Sequence, residues 1–275
     1  MAKFIIDGEP HDFDVGESVF KFGSSEILSD KNTDISYHQK WYHRGFETFQ
    51  FLNNSEFELL SEGISRCISS LIGRLGIDVS NFKLERYHHY IRDDDMHHKI
   101  AGMTRDLFLE DFDFPILDLI DKLGKIVGLQ LTDINSDSGK RTHIIVRINR
   151  PNSSDFNPPH KDIYESFDSN FVIPKFVNFW VPICGVSSKS MLPVVPGSHL
   201  LSEDKIFRTF VGGIVNNNKY RVRSILSWDG KNEMYRPPIK YGEVLVFTPH
   251  LIHGCAINSQ ENITRVALEY RLFKK

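Results

Sequence analysis

Apolar residues recur at helical spacing in one long segment of the N-terminal half. The residues that share this spacing are Phe57, Leu60, Ile64, Ile68, Leu71 and Leu75, each three or four positions after the last. Ser55 followed by Glu58 has the pattern of a capping box, and Gly76 has the pattern of a helix stop. The pattern therefore predicts a helix from Ser55 to about Gly76. Further helices are predicted over residues 82–91 and 115–127, with Gly128 just beyond the second.

Alternation of apolar and polar residues replaces the helical spacing after about residue 130. Within residues 142–149, one strand face would carry Ile144, Val146 and Ile148, and the other Ile145, Arg147 and Asn149. Further strands are predicted over residues 176–182, 241–248 and 263–272, with Pro, Gly and Asn between them. We therefore expect one domain over residues 1–275, mainly β with flanking helices. Its helical part would be residues 1–130, and residues 131–275 would form a double-stranded β-helix, or jelly-roll-like, core.

Composition places the chain among ordinary globular proteins. Hydrophobic residues make up 40% and charged residues 25%, which allows a sizeable core. A formal charge of −3 gives no global attraction to nucleic acid or to an anionic membrane. Cys67, Cys184 and Cys255 are too few and too scattered for a disulfide framework or a zinc site. No segment resembles a membrane span or a signal peptide, so we expect a cytoplasmic protein with a small-molecule partner. The oligomeric state stays open.

Two short segments carry candidate metal ligands. His160 and Asp162 are two residues apart in a stretch stiffened by prolines, so their side chains would project to one side. His253 follows a predicted strand and precedes Gly254, which permits close approach of the backbone. Two imidazoles and one carboxylate can hold one face of an Fe(II) ion and leave the other face open. His250 is a rival for the second histidine, ranked lower because no glycine follows it.

Arg265 lies twelve residues after His253, at the start of the next predicted strand. An antiparallel neighbour would bring its side chain back toward His253. A guanidinium in that place suits a dicarboxylate cosubstrate, because its donors match a carboxylate in a bidentate pair. Without the other candidate residues, the default interpretation would be an exposed strand arginine.

Taken together, the motifs resemble those of the phytanoyl-CoA dioxygenase-like family of Fe(II)/2-oxoglutarate oxygenases. The motifs are HKD at 160–162, LPVVPGSHL at 192–200, and HG at 253–254 with Arg265. The stretch RINRP at 147–151 is similar to the matching strand of ectoine hydroxylases. The resemblance covers about residues 140–275, and within the PGSH stretch it assigns Ser198 and His199 to a loop near the site.

The resemblance implies a role for each matching residue. His160, Asp162 and His253 would bind Fe(II), and Arg265 would bind the distal carboxylate of 2-oxoglutarate, with O2 as the second cosubstrate. Asn149 would contact 2-oxoglutarate from the preceding strand. Trp180 would line the cosubstrate pocket, although a plain core aromatic is at least as good an interpretation.

Two positions refine these expectations. The family often has Ser two residues after the distal histidine, where this chain has Cys255, a poorer donor, so Thr248 is a candidate to assist Arg265. Asp162 is intact, whereas related halogenases have Ala or Gly there, so hydroxylation is expected.

Arg147 shares a strand face with Asn149 and is a candidate to pair with an anionic substrate, or else a surface arginine. We expect a small polar or anionic metabolite, or a sugar derivative.

Other interpretations remain open at this point. A cupin-like metal enzyme would use the same three ligands without 2-oxoglutarate, and a jelly-roll binding module would have no activity at all. The histidine-rich segment 87–98 is expected to be mostly solvated, with a lid over the substrate as the lesser alternative. Within it, the acidic run Asp93-Asp94-Asp95 is expected to form a solvated turn. Arg221, Arg223 and Arg236 are expected to be surface residues, with a role in holding an acidic substrate as the alternative.

Overall fold

A computed structural model describes residues 2–16, 18–112, 119–166, 173–215, 218–220 and 222–275. Its α-helices are α1 (Asn54–Gly73), α2 (Tyr87–Tyr90), α3 (Asp94–Met103) and α4 (Leu119–Val127). The strands are β1 (Ala2–Ile6), β2 (Glu9–Phe13), β3 (Phe20–Phe22), β4 (Phe46–Gln50), β5 (Leu131–Thr132), β6 (Ile145–Asn149), β7 (Phe176–Cys184), β8 (Ile206–Thr209), β9 (Gly213–Val215), β10 (Asn218–Tyr220), β11 (Ile225–Trp228), β12 (Glu233–Met234), β13 (Glu243–Phe247) and β14 (Arg265–Lys274). Among these described residues, no helix has both the length and the apolar character that a membrane crossing needs.

The largest sheet has six strands and forms one layer of the fold. Its order is β4-β13-β7-β14-β5, and β6 also pairs with β14. Side chains along β14 alternate between its two faces. Val266, Leu268, Tyr270 and Leu272 pack in the core cluster that the helices cover. Arg265, Ala267, Glu269 and Arg271 therefore point to the opposite face.

A second layer lies opposite that polar face. Backbone bridges connect His160 to His253, His253 to Val194, and Val194 to Tyr235. Strand β12, which precedes Tyr235, pairs with β1, and β1 pairs with β2. Between the layers lies an apolar cluster that includes Trp180, Val194, Leu245 and Phe247. The predicted mainly β fold with flanking helices and two facing layers is confirmed.

Helix α1 matches the predicted apolar pattern, but its N-terminus differs from the prediction. Its cap is Asn53, whose side chain accepts from the Glu56 backbone N–H, while the Glu56 side chain accepts from the Asn53 backbone N–H. The predicted capping box at Ser55 and Glu58 is therefore wrong. The same hydrogen-bond pattern occurs two residues earlier, where Asn replaces Ser as an equally good cap. Ser55 instead donates its hydroxyl to Asn53.

The other helix predictions are only partly right. Residues 82–91 form a 3-10 turn at Leu84–Arg86 followed by the single turn α2, instead of one helix. Helix α3 was missed because its cap, Asp93, was interpreted as part of a solvated acidic turn; the Asp93 side chain accepts from the Met96 N–H at 2.7 Å. The third predicted helix is described only from Leu119, and residues 113–118 lie outside the described residues.

The N-terminal part contains four strands besides the predicted helices. It contributes β1 to β4, and β4 joins the main sheet by pairing with β13. Asp7 and Gly8, both with positive φ, make the turn between β1 and β2. An Asp-Gly pair between two short strands is a strong hairpin signal. That signal was present in the sequence and was overlooked.

The histidine-rich segment 87–98 is solvated at half of its residues, but Tyr87, Ile91 and His97 are buried and dock it onto the fold. Tyr87 and His97 are buried, and the Tyr87 hydroxyl lies 3.2 Å from His97 Nδ1. His97 Nε2 lies 3.5 Å from an Asp155 carboxylate oxygen. His88 Nδ1 lies 2.8 Å from the hydroxyl of Thr264, the residue before Arg265. The segment therefore braces the strand end that carries the predicted cosubstrate arginine.

Candidate metal centre

His160, Asp162 and His253 converge in the space between the two layers. One ligand atom from each lies within 4.8 Å of the others, and all three residues are buried. His160 Nε2 is 3.5 Å from Asp162 Oδ1, and His253 Nε2 is 3.6 Å from Asp162 Oδ2. A pair of backbone hydrogen bonds between His160 and His253, at 2.9 and 3.0 Å, holds the two histidines side by side. The fold thus brings His160 and Asp162, which are two residues apart, together with His253, which is distant in sequence.

Each histidine presents a free nitrogen to that point. His160 Nδ1 lies 2.7 Å from the Pro158 carbonyl, and His253 Nδ1 lies 3.0 Å from the Leu251 carbonyl. A carbonyl oxygen only accepts, so each Nδ1 carries the hydrogen and each Nε2 keeps its lone pair. Both Nε2 atoms are buried, and neither has a hydrogen-bond partner among the described residues. Burial lowers the pKa of His253 to about 4, so its ring is neutral at physiological pH.

The Asp162 carboxylate is held on both of its oxygens. Asn178 donates to Oδ2 at 2.7 Å, and Arg271 donates to Oδ1 at 2.8 Å. Burial alone would raise the pKa of this carboxyl. The positive charge of Arg271 opposes that effect, and the pKa of Asp162 lies well below its usual value. Asp162 is therefore an ionised, oriented carboxylate.

Two small residues allow the His253 loop to approach the His160 segment. Gly254 has φ +129°, and a Cβ there would meet the Pro158 carbonyl oxygen at 2.4 Å. Only glycine fits such a position. In the PGSH stretch, Ser198 accepts from the backbone N–H of Ile252 at 2.8 Å, which fixes the residue before His253.

His250 does not belong to the metal-binding trio. It is fully buried, and its Nε2 lies 3.4 Å from the Thr33 carbonyl, away from Asp162. Thr248 is also directed elsewhere, because its hydroxyl donates to Asp34 at 2.5 Å. The expected donation from Thr248 to a cosubstrate would require that hydrogen bond to break.

Arg265 is a fully buried arginine at the first position of β14. Its Nη2 donates to the Ala256 carbonyl at 3.1 Å, while its Nε has no partner. Its guanidinium carbon lies 5.8 Å from the centre of the Trp180 ring. No carboxylate of the described residues lies within ion-pair distance of it, and burial lowers its pKa to about 9. A buried cation with an unused donor is suited to an incoming anion.

The other predicted cosubstrate residues surround Arg265 in different ways. Asn149 pairs with Arg265 across the strands and donates its amide to the Asp155 and Ala256 carbonyls. A contact with 2-oxoglutarate stays a prediction and would have to use the Asn149 carboxamide oxygen. Trp180 lies in the apolar cluster between the layers, whereas Cys255 packs in a separate cluster with Phe4 and Met234. The structure thus gives Cys255 no visible part in the pocket.

A row of charges that the sequence interpretation missed extends from Asp162 along the sheet. Arg271 lies between Asp162 and Glu269, at 2.8 and 3.6 Å. Glu269 is buried and forms a two-point ion pair with Arg147, whose side chain is 30% exposed. Arg147 therefore lies on the same sheet face as Glu269 and Arg271, and Glu269 holds its guanidinium. Its pairing with an anionic substrate stays a prediction. Side chains two positions apart in a strand share a face, so the position of Arg265 would have placed Glu269 and Arg271 on the same face as Arg265.

The arginines of the segment before β13 are not plain surface residues. Arg223 and Arg236 are both buried, at 9% and 7% exposure. Arg236 Nη1 lies 3.5 Å from Asp7, next to the hairpin turn of β1 and β2. The expectation of exposed residues is wrong for these two. The N-terminal hairpin contacts Arg236 through Asp7, whereas the Arg223 guanidinium lies 5.9 Å from the centre of the Phe210 ring. Arg221 lies outside the described residues.

Comparison with known proteins supports what the geometry indicates. The family model for phytanoyl-CoA dioxygenase (PhyH) matches residues 81–266, well over half of the chain. The chain belongs to this family. The PhyH match begins at α2 and its flanking turn, which is earlier than the motifs near residue 140 indicated. A search of curated proteins returns no match.

Several solved structures are similar at low identity. AviO1 from Streptomyces viridochromogenes Tue57 is 17% identical, with 86% of this chain and 92% of that chain covered and a TM-score of 0.49. EctD from S. alaskensis, solved with 2-oxoglutarate and 5-hydroxyectoine, is 14% identical, with coverage of 95% and 86% and a TM-score of 0.49. The non-heme alpha-ketoglutarate-dependent epimerase SnoN is 13% identical, with coverage of 86% and 80% and a TM-score of 0.43.

The donor set of this PhyH protein fits an iron ion. Two buried imidazole nitrogens that have no partner among the described residues, together with one ionised carboxylate, are a donor set typical of a non-heme Fe(II) centre. Asn178 and Arg271 would orient the carboxylate, and the two backbone carbonyls would orient the rings.

Proposed function

We propose that the protein is a single-domain Fe(II)- and 2-oxoglutarate-dependent dioxygenase that hydroxylates a small polar or anionic metabolite or a sugar derivative. The observation that carries this proposal is the pair of buried, unpartnered Nε2 atoms of His160 and His253, which face the Asp162 carboxylate. Buried polar atoms in native proteins almost always have a partner. A metal ion would supply that partner for both nitrogens at once.

The choice of 2-oxoglutarate as cosubstrate is supported by Arg265. A buried guanidinium without a carboxylate partner is costly unless a ligand supplies the negative charge. The distal carboxylate of 2-oxoglutarate would do so, as the family resemblance implies, and Trp180 would form an adjacent wall. When bound, iron and 2-oxoglutarate together would supply the oxidation by O2, with release of succinate and CO2.

The residues of this chain would contribute positioning and exclusion of water. Asn178 and Arg271 fix the rotation of the Asp162 carboxylate, and the backbone bridge fixes the distance between the two histidines. The apolar cluster between the layers keeps water from the space beside them. None of these groups needs to transfer a proton. An intact Asp162 also supports hydroxylation over halogenation, since the carboxylate occupies the place that a halide would need.

The test is a metabolite screen for stimulated turnover of 2-oxoglutarate. The purified protein with Fe(II), O2 and 2-oxoglutarate is incubated with single metabolites, and succinate is measured with the mass of each metabolite. A hit would raise succinate and add one oxygen to the metabolite. Carboxylate-bearing and phosphate-bearing metabolites should be compared with their neutral analogues, since Arg147 lies on the same sheet face.

Two outcomes would support rival functions. Consumption of O2 that does not require 2-oxoglutarate would indicate a cupin-like metal enzyme. Failure of the purified protein to bind Fe(II) at all would indicate a jelly-roll binding module without activity.

A further inference from the structure

Lys161 stands between two metal ligands in the chain, yet its ammonium group is directed to a different buried site. Lys161 is fully buried, and its Nζ lies 2.8 Å from Glu203 Oε1. Because His160 and Asp162 flank it, any displacement of this lysine moves both ligands. The Lys161–Glu203 ion pair is thus attached directly to the metal-binding segment.

Glu203 receives three donors, two of which come from the metal-binding segment. Besides Lys161, the Tyr164 hydroxyl donates to Oε2 at 2.6 Å, and Arg208 Nε donates to the same oxygen at 3.1 Å. The Arg208 guanidinium also lies over the Tyr164 ring, 4.2 Å from its centre. All four residues are buried, so solvent does not screen these interactions. Burial alone would raise the pKa of Glu203, but the ammonium of Lys161 keeps that pKa below its usual value.

Glu203 itself is fixed from behind by the N-terminal segment. Its backbone N–H donates to the Glu26 carbonyl at 2.9 Å, and its carbonyl accepts from the Gly23 N–H at 2.9 Å. A Cβ at Gly23 would lie 2.6 Å from Glu203 Cβ, so the two backbones are in close contact. The carboxylate is therefore held on a rigid support, which is what a group needs in order to position others.

We propose that Glu203 is a positioning residue for the metal centre, which holds His160 and Asp162 in place through Lys161 and Tyr164 without contacting the metal. The inference rests on the proposed function, since it requires that the trio binds a metal. Outer-shell partners of metal ligands change metal affinity by about 10- to 100-fold when they are removed. Glu203 does not contact His160 or Asp162 directly. It acts through Lys161 and Tyr164, which belong to the same chain segment as those two residues and are buried with Glu203.

The test measures metal binding by the full-length protein with Co(II) alone as the probe. Co(II) affinity is measured by isothermal titration calorimetry, and its ligand-field absorption spectrum reports the coordination geometry. The variant is Glu203→Gln, which keeps the shape and removes the charge. The matched control is Asp229→Asn, which also replaces a carboxylate by an amide. Asp229 belongs to an exposed ion pair, in which its Oδ1 lies 3.0 Å from Lys205 Nζ. Circular dichroism confirms that each variant is folded.

We expect Glu203→Gln to weaken Co(II) binding by about 10-fold or more and to change the spectrum, while Asp229→Asn changes neither. A folded Glu203→Gln protein with unchanged affinity and spectrum overturns the inference. If wild-type protein binds no Co(II), the proposed function fails and the inference fails with it. If Glu203→Gln does not fold, the same measurements are made on the double variant Lys161→Met with Glu203→Gln. This variant also removes the ammonium group of Lys161, which would otherwise be buried without the Glu203 carboxylate. Weakened binding by that variant supports the inference, and wild-type binding overturns it.

Discussion

Replacement of Arg265 by Met should make the protein more stable and, at the same time, unable to bind 2-oxoglutarate. Arg265 is 1% exposed, and no carboxylate of the described residues pairs with it. Methionine has a similar length and no charge, so it can fill the same space beside Trp180. The side chain that suits the cosubstrate thus disfavours the free protein, a trade-off common at functional sites.

The pKa of Arg265 sets the scale of this effect. Burial lowers that pKa from 12.5 to about 9, and each pKa unit corresponds to about 1.4 kcal/mol. The buried charge therefore disfavours folding by on the order of 5 kcal/mol. The methionine variant also loses the hydrogen bond to the Ala256 carbonyl, and this loss lowers the free energy of unfolding by about 1 kcal/mol. Because the cavity relaxes imperfectly, we expect a net gain of about 1–4 kcal/mol in the free energy of unfolding.

Urea unfolding of the free protein, with and without 2-oxoglutarate and a redox-inert metal, measures both effects. 2-Oxoglutarate at a concentration of 100 times its Kd should raise the free energy of unfolding of the wild type by about 2.7 kcal/mol. It should leave that of the variant unchanged. Arg66→Met, at an arginine whose side chain is 52% exposed, serves as the control and should change stability by less than about 0.5 kcal/mol. A destabilised Arg265→Met protein, or one that 2-oxoglutarate still stabilises, would refute the reasoning.

Three further predictions follow from the same geometry. Asp162→Asn keeps the side-chain volume and should weaken Co(II) binding by more than about 100-fold while circular dichroism shows a folded protein. Gly254→Ala should lower the free energy of unfolding by about 1–3 kcal/mol in urea titrations, because φ is +129° and the Pro158 oxygen blocks a Cβ. Burial lowers the pKa of His97 to about 4, so the unfolded chain binds more protons between pH 4 and 6.5. Stability should therefore fall, by up to about 3 kcal/mol for this residue, as the pH drops through that range.

Each of these predictions has an outcome that contradicts it. Asp162→Asn with wild-type Co(II) affinity would remove Asp162 from the ligand set. Gly102→Ala, in α3 where no atom lies within 4 Å of the added Cβ, is the control for Gly254→Ala and should be neutral or slightly stabilising. Equal effects at both glycines would show that the close approach is not required. For the pH dependence, His97→Gln should reduce the slope of the profile between pH 6.5 and 4, to which His253 also contributes, and an unchanged slope would exclude a contribution from His97.

Local signals in the sequence were sufficient to single out the three candidate metal ligands that the structure brings together. His160 and Asp162 are two residues apart, and His253 follows a strand with Gly254 behind it, so the candidates could be recognised without contacts. The alternation in residues 142–149 also assigned the two faces of β6 correctly. Failures came where a local pattern had two interpretations. The acidic run at Asp93 is typical of a turn by sequence, but Asp93 caps helix α3.

Residues whose roles depend on distant partners could not be found in the same way. Glu203 and Lys161 are 42 positions apart, and nothing in either segment indicates that they meet. Arg271 differs little from any strand arginine until its pairing with Asp162, 109 positions away, is known. Thr248 was a reasonable donor by sequence, but Asp34, which is 214 positions away, accepts its hydroxyl hydrogen.

The sequence by itself determined which groups of this protein are candidates to bind a metal and to pair with a carboxylate, because residue type and short-range spacing decide which groups can do so. Tertiary structure alone decided how those groups are held. The tautomers of His160 and His253, the ionised state of Asp162 and the unpaired burial of Arg265 all depend on neighbours from other strands and loops. The physical reason is that hydrogen bonds and charges in a dry interior act over a few ångströms in space, whatever the separation along the chain.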